Sequence, residues 1–158
     1  MTFNNRRLQR GIAATEFALV FTVLFIVVYI IATFGTVLYT QQAISRSAED
    51  GARAVALLNS VPTTNDSRIQ NVVYDSLASS LIVPSASNTS LATRRIWVAT
   101  QVTVAVTPTG TNPNASVVVT VTYPYGANSL LPSLSFLNMN LGMPDKLRSR
   151  STAAIQPT

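Results

Sequence analysis

Residues 17–39 (FALVFTVLFIVVYIIATFGTVLY) fill 23 positions without one charge, and no other stretch limits the possible folds as severely. As a helix rising 1.5 Å per residue, the run covers about 34 Å, enough to cross a hydrocarbon core of about 30 Å. Thr22, Thr33 and Thr36 interrupt it only nominally, because a helical threonine hydroxyl can donate to a carbonyl one turn back. The apolar character begins at Ile12 and ends at Tyr39, so a membrane-spanning helix is expected over residues 12–39. Arg6, Arg7 and Arg10 precede it with no acid among them, whereas Arg46, Glu49, Asp50 and Arg53 beyond it balance to zero. The positive-inside rule then places the N-terminus in the cytoplasm and the rest across the membrane. A cleavable secretory signal fits less well, since its apolar region runs to about 7–15 residues and leads to a small-x-small site. Here Tyr39-Thr40-Gln41-Gln42 follows a much longer run.

The 158-residue chain is 11% charged, against about 25% in an ordinary soluble domain, and the apolar run explains much of the difference. Of the net charge of +5, three units are Arg6, Arg7 and Arg10, and the residues after Gly11 carry eight cations against six acids. The basic balance is therefore a topology signal and not a nucleic-acid footprint, and Arg94-Arg95 is only a pair. With no Cys and no His, disulfide frameworks, Cys-ligated zinc, thiol nucleophiles, imidazole ligands and Ser-His-Asp triads are excluded. Glu49 and Asp50 are adjacent and so point to different helix faces, which removes them as an acid/base pair. The six glycines are scattered rather than gathered in a phosphate loop. Sequons at Asn65, Asn88 and Asn114 arise readily by chance in a chain this rich in Asn, Ser and Thr. No enzyme, cofactor, metal, nucleic acid or small-molecule substrate is expected.

Glu16 is the one acid inside the apolar run, and an ionisable group there is by default a functional candidate, although an interfacial position beside the arginines would simply solvate it. Cleavage after Gly11 would make Ile12 a new N-terminus with a charged amine, one helical turn from Glu16. Two such helices displaced along their axes could pair the amine of one with the carboxylate of the other, setting subunit register in low dielectric.

A basic leader ending in Gly11, then Ile12-Ala13-Ala14-Thr15-Glu16-Phe17 and a long apolar helix, resembles the type IV pilin-like proteins. The start from Gln9 to Val20, with Tyr39-Thr40-Gln41-Gln42-Ala43 and Glu49-Asp50-Gly51-Ala52-Arg53-Ala54, is similar to TadE-like proteins. Those are minor pilins or pseudopilins of the tight-adherence (Flp, type IVb) pilus system, and the resemblance covers residues 9–56. Thr15 departs from it, standing where that family more often has Val. The resemblance implies cleavage between Gly11 and Ile12 by a prepilin peptidase and assembly through the helix, with Glu16 and its neighbour Phe17 governing register. It implies a bacterial inner-membrane protein, single-pass, with the C-terminal domain periplasmic or extracellular. Its partners would be the peptidase, other minor pilins and the major pilin. An unprocessed single-pass anchor whose C-terminal domain binds an envelope partner is the alternative. A pseudopilin of a secretion system is a third reading, less well served by residues 39–56.

Beyond Tyr39 the helical pattern continues through Ala43, Ile44, Ala48, Gly51, Ala52, Val55 and Ala56, with Glu49 and Arg53 forming an i,i+4 pair. Asn59, Ser60 and Pro62 should end it near Leu58. The small residues on this stretch could pack on the chain's own domain or on another subunit. Asn65-Asp66-Ser67 forms an N-cap cluster, after which Ile69, Val72, Val73, Leu77 and Leu81 give a second amphipathic helix over about 66–82, and 84–90 reads as a loop. From Ile96 the period reads as two, through Val98, Val102, Val104 and Val106, and a Pro/Gly/Asn loop over 107–114 leads to Val117, Val119, Val121 and Tyr123. A third strand is expected at 147–155, with Leu147, Ala153 and Ile155 inward and Arg148 and Arg150 outward, as suits an edge. The fold class is α+β: a long N-terminal helix, its first half membrane-spanning, with a second helix and a small antiparallel sheet, in the shape of a pilin-like lollipop. The division is a basic leader 1–11, a transmembrane helix 12–39, its extramembrane continuation 40–62 and an α+β domain 63–158. Residues 130–143, with Leu130, Leu131, Leu134, Phe136, Leu137 and Met139, are apolar without a clean period, and form either an irregular lid or a partner surface.

Overall fold

A computed structural model of the chain describes residues 6–58, 60–110, 115–131 and 143–155. The leading element is helix α1, Arg6–Ala56, 51 residues long. It starts before Ile12 and stops six residues short of Pro62. Its end is a tightening of the last turn, with the Leu58 N–H donating to the Val55 carbonyl at 3.0 Å, and not a proline break. The chain divides into two units, Met1–Val37 and Leu38–Thr158, and α1 contributes to both.

In the first unit, apolar side chains stand uncovered: Phe17 is 70% exposed, Leu19 68% and Ile31 66%. Such a surface suits a hydrocarbon solvent. Its threonines behave as expected, Thr22 Oγ1 donating to the Ala18 carbonyl at 2.7 Å and Thr33 Oγ1 to the Tyr29 carbonyl at 2.8 Å.

The second unit packs the tail of α1 with α2 (Ser67–Ala78), a 3₁₀ turn (Ser85–Ser87) and α3 (Leu91–Gln101) around the sheet β1 (Thr103–Thr109), β2 (Ser116–Tyr123) and β3 (Leu147–Ala154). The sheet is antiparallel in the order β1-β2-β3, with Val106 opposite Val119 and Tyr123 opposite Leu147. Val104, Val106, Val117, Val119, Val121, Tyr123, Leu147 and Ala153 are buried, as alternation requires of one face. Ile44, Ala48, Ala52 and Val55 of α1, Ile69, Val73 and Leu77 of α2, and Val98 of α3 are buried with them. Gly51 makes the close approach possible: a Cβ there would lie 2.7 Å from Val73 Cγ2 and 3.1 Å from Val119 Cγ1. The small residues Ala48, Gly51 and Ala52 thus serve the chain's own core, and Ser45 Oγ meets Ser149 Oγ at 3.1 Å.

Asp66 caps α2 by accepting from the Arg68 N–H at 2.9 Å. Asn65 before it takes φ 57°, a left-handed conformation that asparagine tolerates, and clasps β1: its N–H donates to the Val106 carbonyl and its Oδ1 accepts from the Val106 N–H. Gln70 Nε2 donates to the Val104 carbonyl at 2.9 Å. Even-numbered residues of β1 thus turn their backbone outward, which lets Pro108 sit in this edge strand without losing a ladder bond.

Three expectations need correcting. Residues 91–101 are helix and not the start of a strand, and Ile96, expected inward, is 69% exposed. Ser90 caps that helix by accepting from the Thr93 N–H, and Arg95 reaches α2, donating to Asp75 and Asn71. Arg53 pairs with Asp50 at 3.9 Å, an i,i+3 contact, and not with Glu49, because Ser76 Oγ also fixes Asp50. Helix α2 stops at Ala78, where Ser79 and Ser80 turn their hydroxyls back onto the carbonyls of Ser76 and Leu77. The third strand agrees with expectation: Leu147, Ala153 and Ile155 are buried, and Arg148 and Arg150 are exposed on the edge strand.

Candidate functional site

The residues singled out near the N-terminus all fall on one continuous helix. Backbone hydrogen bonding makes the chain helical from Arg6 through Gly11 and Ile12. Cations at a helix N-terminus oppose the macrodipole, so Arg6, Arg7 and Arg10 do not favour the helix that they begin. Ile12 is 59% exposed, Glu16 is exposed, and Phe17 stacks on Phe21 with ring centroids 5.9 Å apart. Thr15 Oγ1 donates to the Ile12 carbonyl at 2.8 Å, so this turn is internally satisfied despite the threonine. Glu16 follows Ile12 by four residues, which places both on one side of the helix about 6 Å apart along the axis. Among the described residues, Glu16 has no ion-pair partner.

The surface expected at 130–143 is only partly within the described residues. Leu130 and Leu131 are half-buried, with Ser129 Oγ donating to the Leu131 carbonyl at 3.0 Å. Leu134, Phe136, Leu137 and Met139 lie outside the described residues.

The second unit holds a feature that reading the sequence did not find. A polar groove of about 380 Å³ is lined by Tyr39, Ala43, Arg46 and Asp50 of α1 and by Ser76, Ser79 and Ser80 at the end of α2. The Tyr39 hydroxyl accepts from the Leu81 N–H at 3.1 Å, and Ser76 Oγ donates to Asp50 Oδ2 at 2.7 Å. Arg46 has no ion pair among the described residues. The i,i+4 spacing of Arg46 and Asp50 was visible in the sequence, but the serines that complete the groove come from a different element.

The class of protein is now defined: a helix long and apolar enough to cross a membrane, continued into a small α+β domain. Residues 11–53 match the family model described as TadE-like protein, so that stretch of the chain is similar to that family. No curated protein and no solved structure matches the chain.

Proposed function

We propose that this chain is a minor pilin-like subunit of a tight-adherence pilus, held in a bacterial inner membrane by α1 with its N-terminus cytoplasmic. A prepilin peptidase removes residues 1–11, and the chain from Ile12 onward assembles with other minor pilins and the major pilin. In this scheme it is a substrate of that peptidase and catalyses nothing. The observation that carries the reading is the coincidence of two boundaries: the TadE-like match begins at Gly11, and the apolar run of the sequence, interrupted by the single carboxylate of Glu16, begins at Ile12. Gly11 has a further use here, because glycine weakens a helix by about 1 kcal/mol relative to alanine and eases unwinding of the bond to be cut. Glu16 then receives the new amine of a neighbouring subunit.

The mature N-terminus tests this. Intact mass and the terminal peptide of membrane-extracted protein should show a chain beginning at Ile12 in cells with the prepilin peptidase and an uncut chain in cells without it. Retention of Arg6, Arg7 and Arg10 in both would make the chain an unprocessed anchor. Glu16→Ala should leave insertion and cutting intact while incorporation into the pilus fraction falls at least tenfold.

A further inference from the structure

The two edges of the sheet are finished differently. Successive residues of an antiparallel strand direct their backbone N–H and C=O groups to one side and then the other. On β1 the even-numbered residues face outward, and that edge is closed. Asn65 takes both backbone groups of Val106, Gln70 takes the Val104 carbonyl, and Pro108 has no N–H to offer. The register carries the same parity across to β3, where Ser149 lies opposite Val121 and Ser151 opposite Val119. Arg148, Arg150, Thr152 and Ala154 therefore direct their backbone groups away from the sheet, and the Arg148 carbonyl does so by accepting from Gln41 Nε2 at 3.2 Å. Past that one bond, no hydrogen bond among the described residues closes the edge at Arg150 or Thr152.

The side chains of this edge divide between the two faces. Arg148, Arg150 and Thr152 are exposed on the outer face, and neither arginine has an ion pair among the described residues. On the inner face Ser149 and Ser151 are half-buried, whereas Val121 and Val119 opposite them are fully buried, so the cover of the core thins toward β3. An open edge is a template for a further strand, and like charges set opposite one another disfavour it. The two arginines thus oppose in-register pairing with a second β3 and select a strand that carries acids. A second copy has no such strand to offer. The six acids of the chain are Glu16, Glu49 and Asp50 on α1, Asp66 and Asp75 at α2, and Asp145 before β3.

We infer that β3 is a docking edge for an extended segment of a different protein, added antiparallel along residues 148–154 with acidic side chains at alternate positions. The acids of that segment lie on the outer face beside Arg148 and Arg150. Its intervening residues are apolar and extend the cover of the core past Ser149 and Ser151. Backbone bonds to Arg150 and Thr152 supply affinity whatever the sequence, and the two guanidinium groups supply the choice of partner. This edge goes beyond the subunit role, and it depends neither on cutting at Gly11 nor on α1 spanning a membrane.

The test uses the full chain in non-ionic detergent and a fluorescein-labelled hexapeptide of alternating glutamate and valine, read by fluorescence anisotropy. That peptide should bind about tenfold tighter than one with lysine in place of glutamate, the effect of one charge-assisted hydrogen bond. Arg150→Glu should reverse the order, and Arg150 is exposed, so the variant keeps its fold. With glutamate opposite Arg150 in an antiparallel pairing, the glutamate amides face β3 and the valine amides face away. N-methylation of the glutamates should therefore abolish binding, and N-methylation of the valines should leave it unchanged. Thr152→Pro removes one outward N–H and no ladder bond, as Pro108 does on β1, so affinity for the glutamate peptide should fall about tenfold. The methylated peptides decide the matter even where that variant loses stability. Equal binding of the glutamate and lysine peptides, or an equal effect of the two methylations, would overturn the assignment.

Discussion

Gly51 and Tyr123 are the residues on which the core of the second unit depends most visibly. Gly51 is where α1 comes down onto Val73 of α2 and Val119 of β2, and a methyl group there collides at 2.7 Å with the first. Alanine would gain up to about 1 kcal/mol in helix propensity but meets an overpacking cost of about 1–3 kcal/mol. The expected outcome is a net loss, larger for Gly51→Val, read as a lowered Tm of the full chain in detergent. Tyr123 lies fully buried and shares its hydroxyl hydrogen between the carbonyls of Ile82, at 3.0 Å, and Asn128, at 3.2 Å. Burial, reinforced by the neighbouring Tyr125, pushes its pKa up to about 12. The unfolded chain therefore gives up this proton first, near pH 10. The contribution is complete below that pH and declines as pH rises toward 12, at no more than about 1.4 kcal/mol per pH unit. Burial raises the pKa of Tyr74 as well, so both phenols act in the same direction. Tyr123→Phe should flatten most of the alkaline decline in Tm while costing about 1–3 kcal/mol at neutral pH, because the buried Ile82 carbonyl and the half-buried Asn128 carbonyl lose their donor.

Helix α3 shows what a linear pattern conveys and what it leaves out. Ile96, Val98, Val102 and Val104 alternate like a strand, and two β-branched pairs in sequence strengthen that impression. The first part of that run, up to Gln101, also reads as a helix, with Val98 buried, Trp97 half-buried against the Tyr123 ring at 6.1 Å, and Ile96 turned outward. What decides between them is Ser90 as an N-cap and the Arg95 contacts to Asp75 and Asn71, and only the first is a local signal. A paired test follows: Ile96→Lys should change stability by less than about 0.5 kcal/mol, as at an ordinary surface position. Val98→Ala should cost about 2 kcal/mol from lost burial and cavity. Strand geometry would have made both severe, and urea unfolding of the two variants distinguishes the cases. The apolar run of α1, a cap within Asn65-Asp66-Ser67 and the alternation of β2 and β3 were legible because each depends on neighbours in sequence. The clasp of Asn65 on β1 and the groove beside Arg46 were not, because each joins residues from separate elements.

For the molecule as a whole, α1 has two environments. In the unit Met1–Val37 its apolar side chains find little cover from the chain, whereas in the unit Leu38–Thr158 Ile44, Ala48, Ala52 and Val55 close the inner side of a three-stranded sheet. A sheet of that size cannot support itself in water without a packed face. The tail of α1 is therefore core, and the TadE-like match, which runs to residue 53, takes in most of that core stretch as well as the apolar span. Removing residues 1–37 should leave a soluble chain that melts cooperatively, since every buried apolar residue of the second unit is retained. Removing residues 1–57 should abolish cooperative melting, because Val73, Val119 and their neighbours lose the helix that Gly51 brings against them. Circular dichroism melts of the two truncations decide this, and cooperative folding of the shorter one would mean that α1 is a tether and not part of the domain. If the first result holds, α1 is read by two solvents at once, so a substitution in residues 12–37 should alter membrane retention or assembly without moving the Tm of the domain. One in residues 44–55 should alter both.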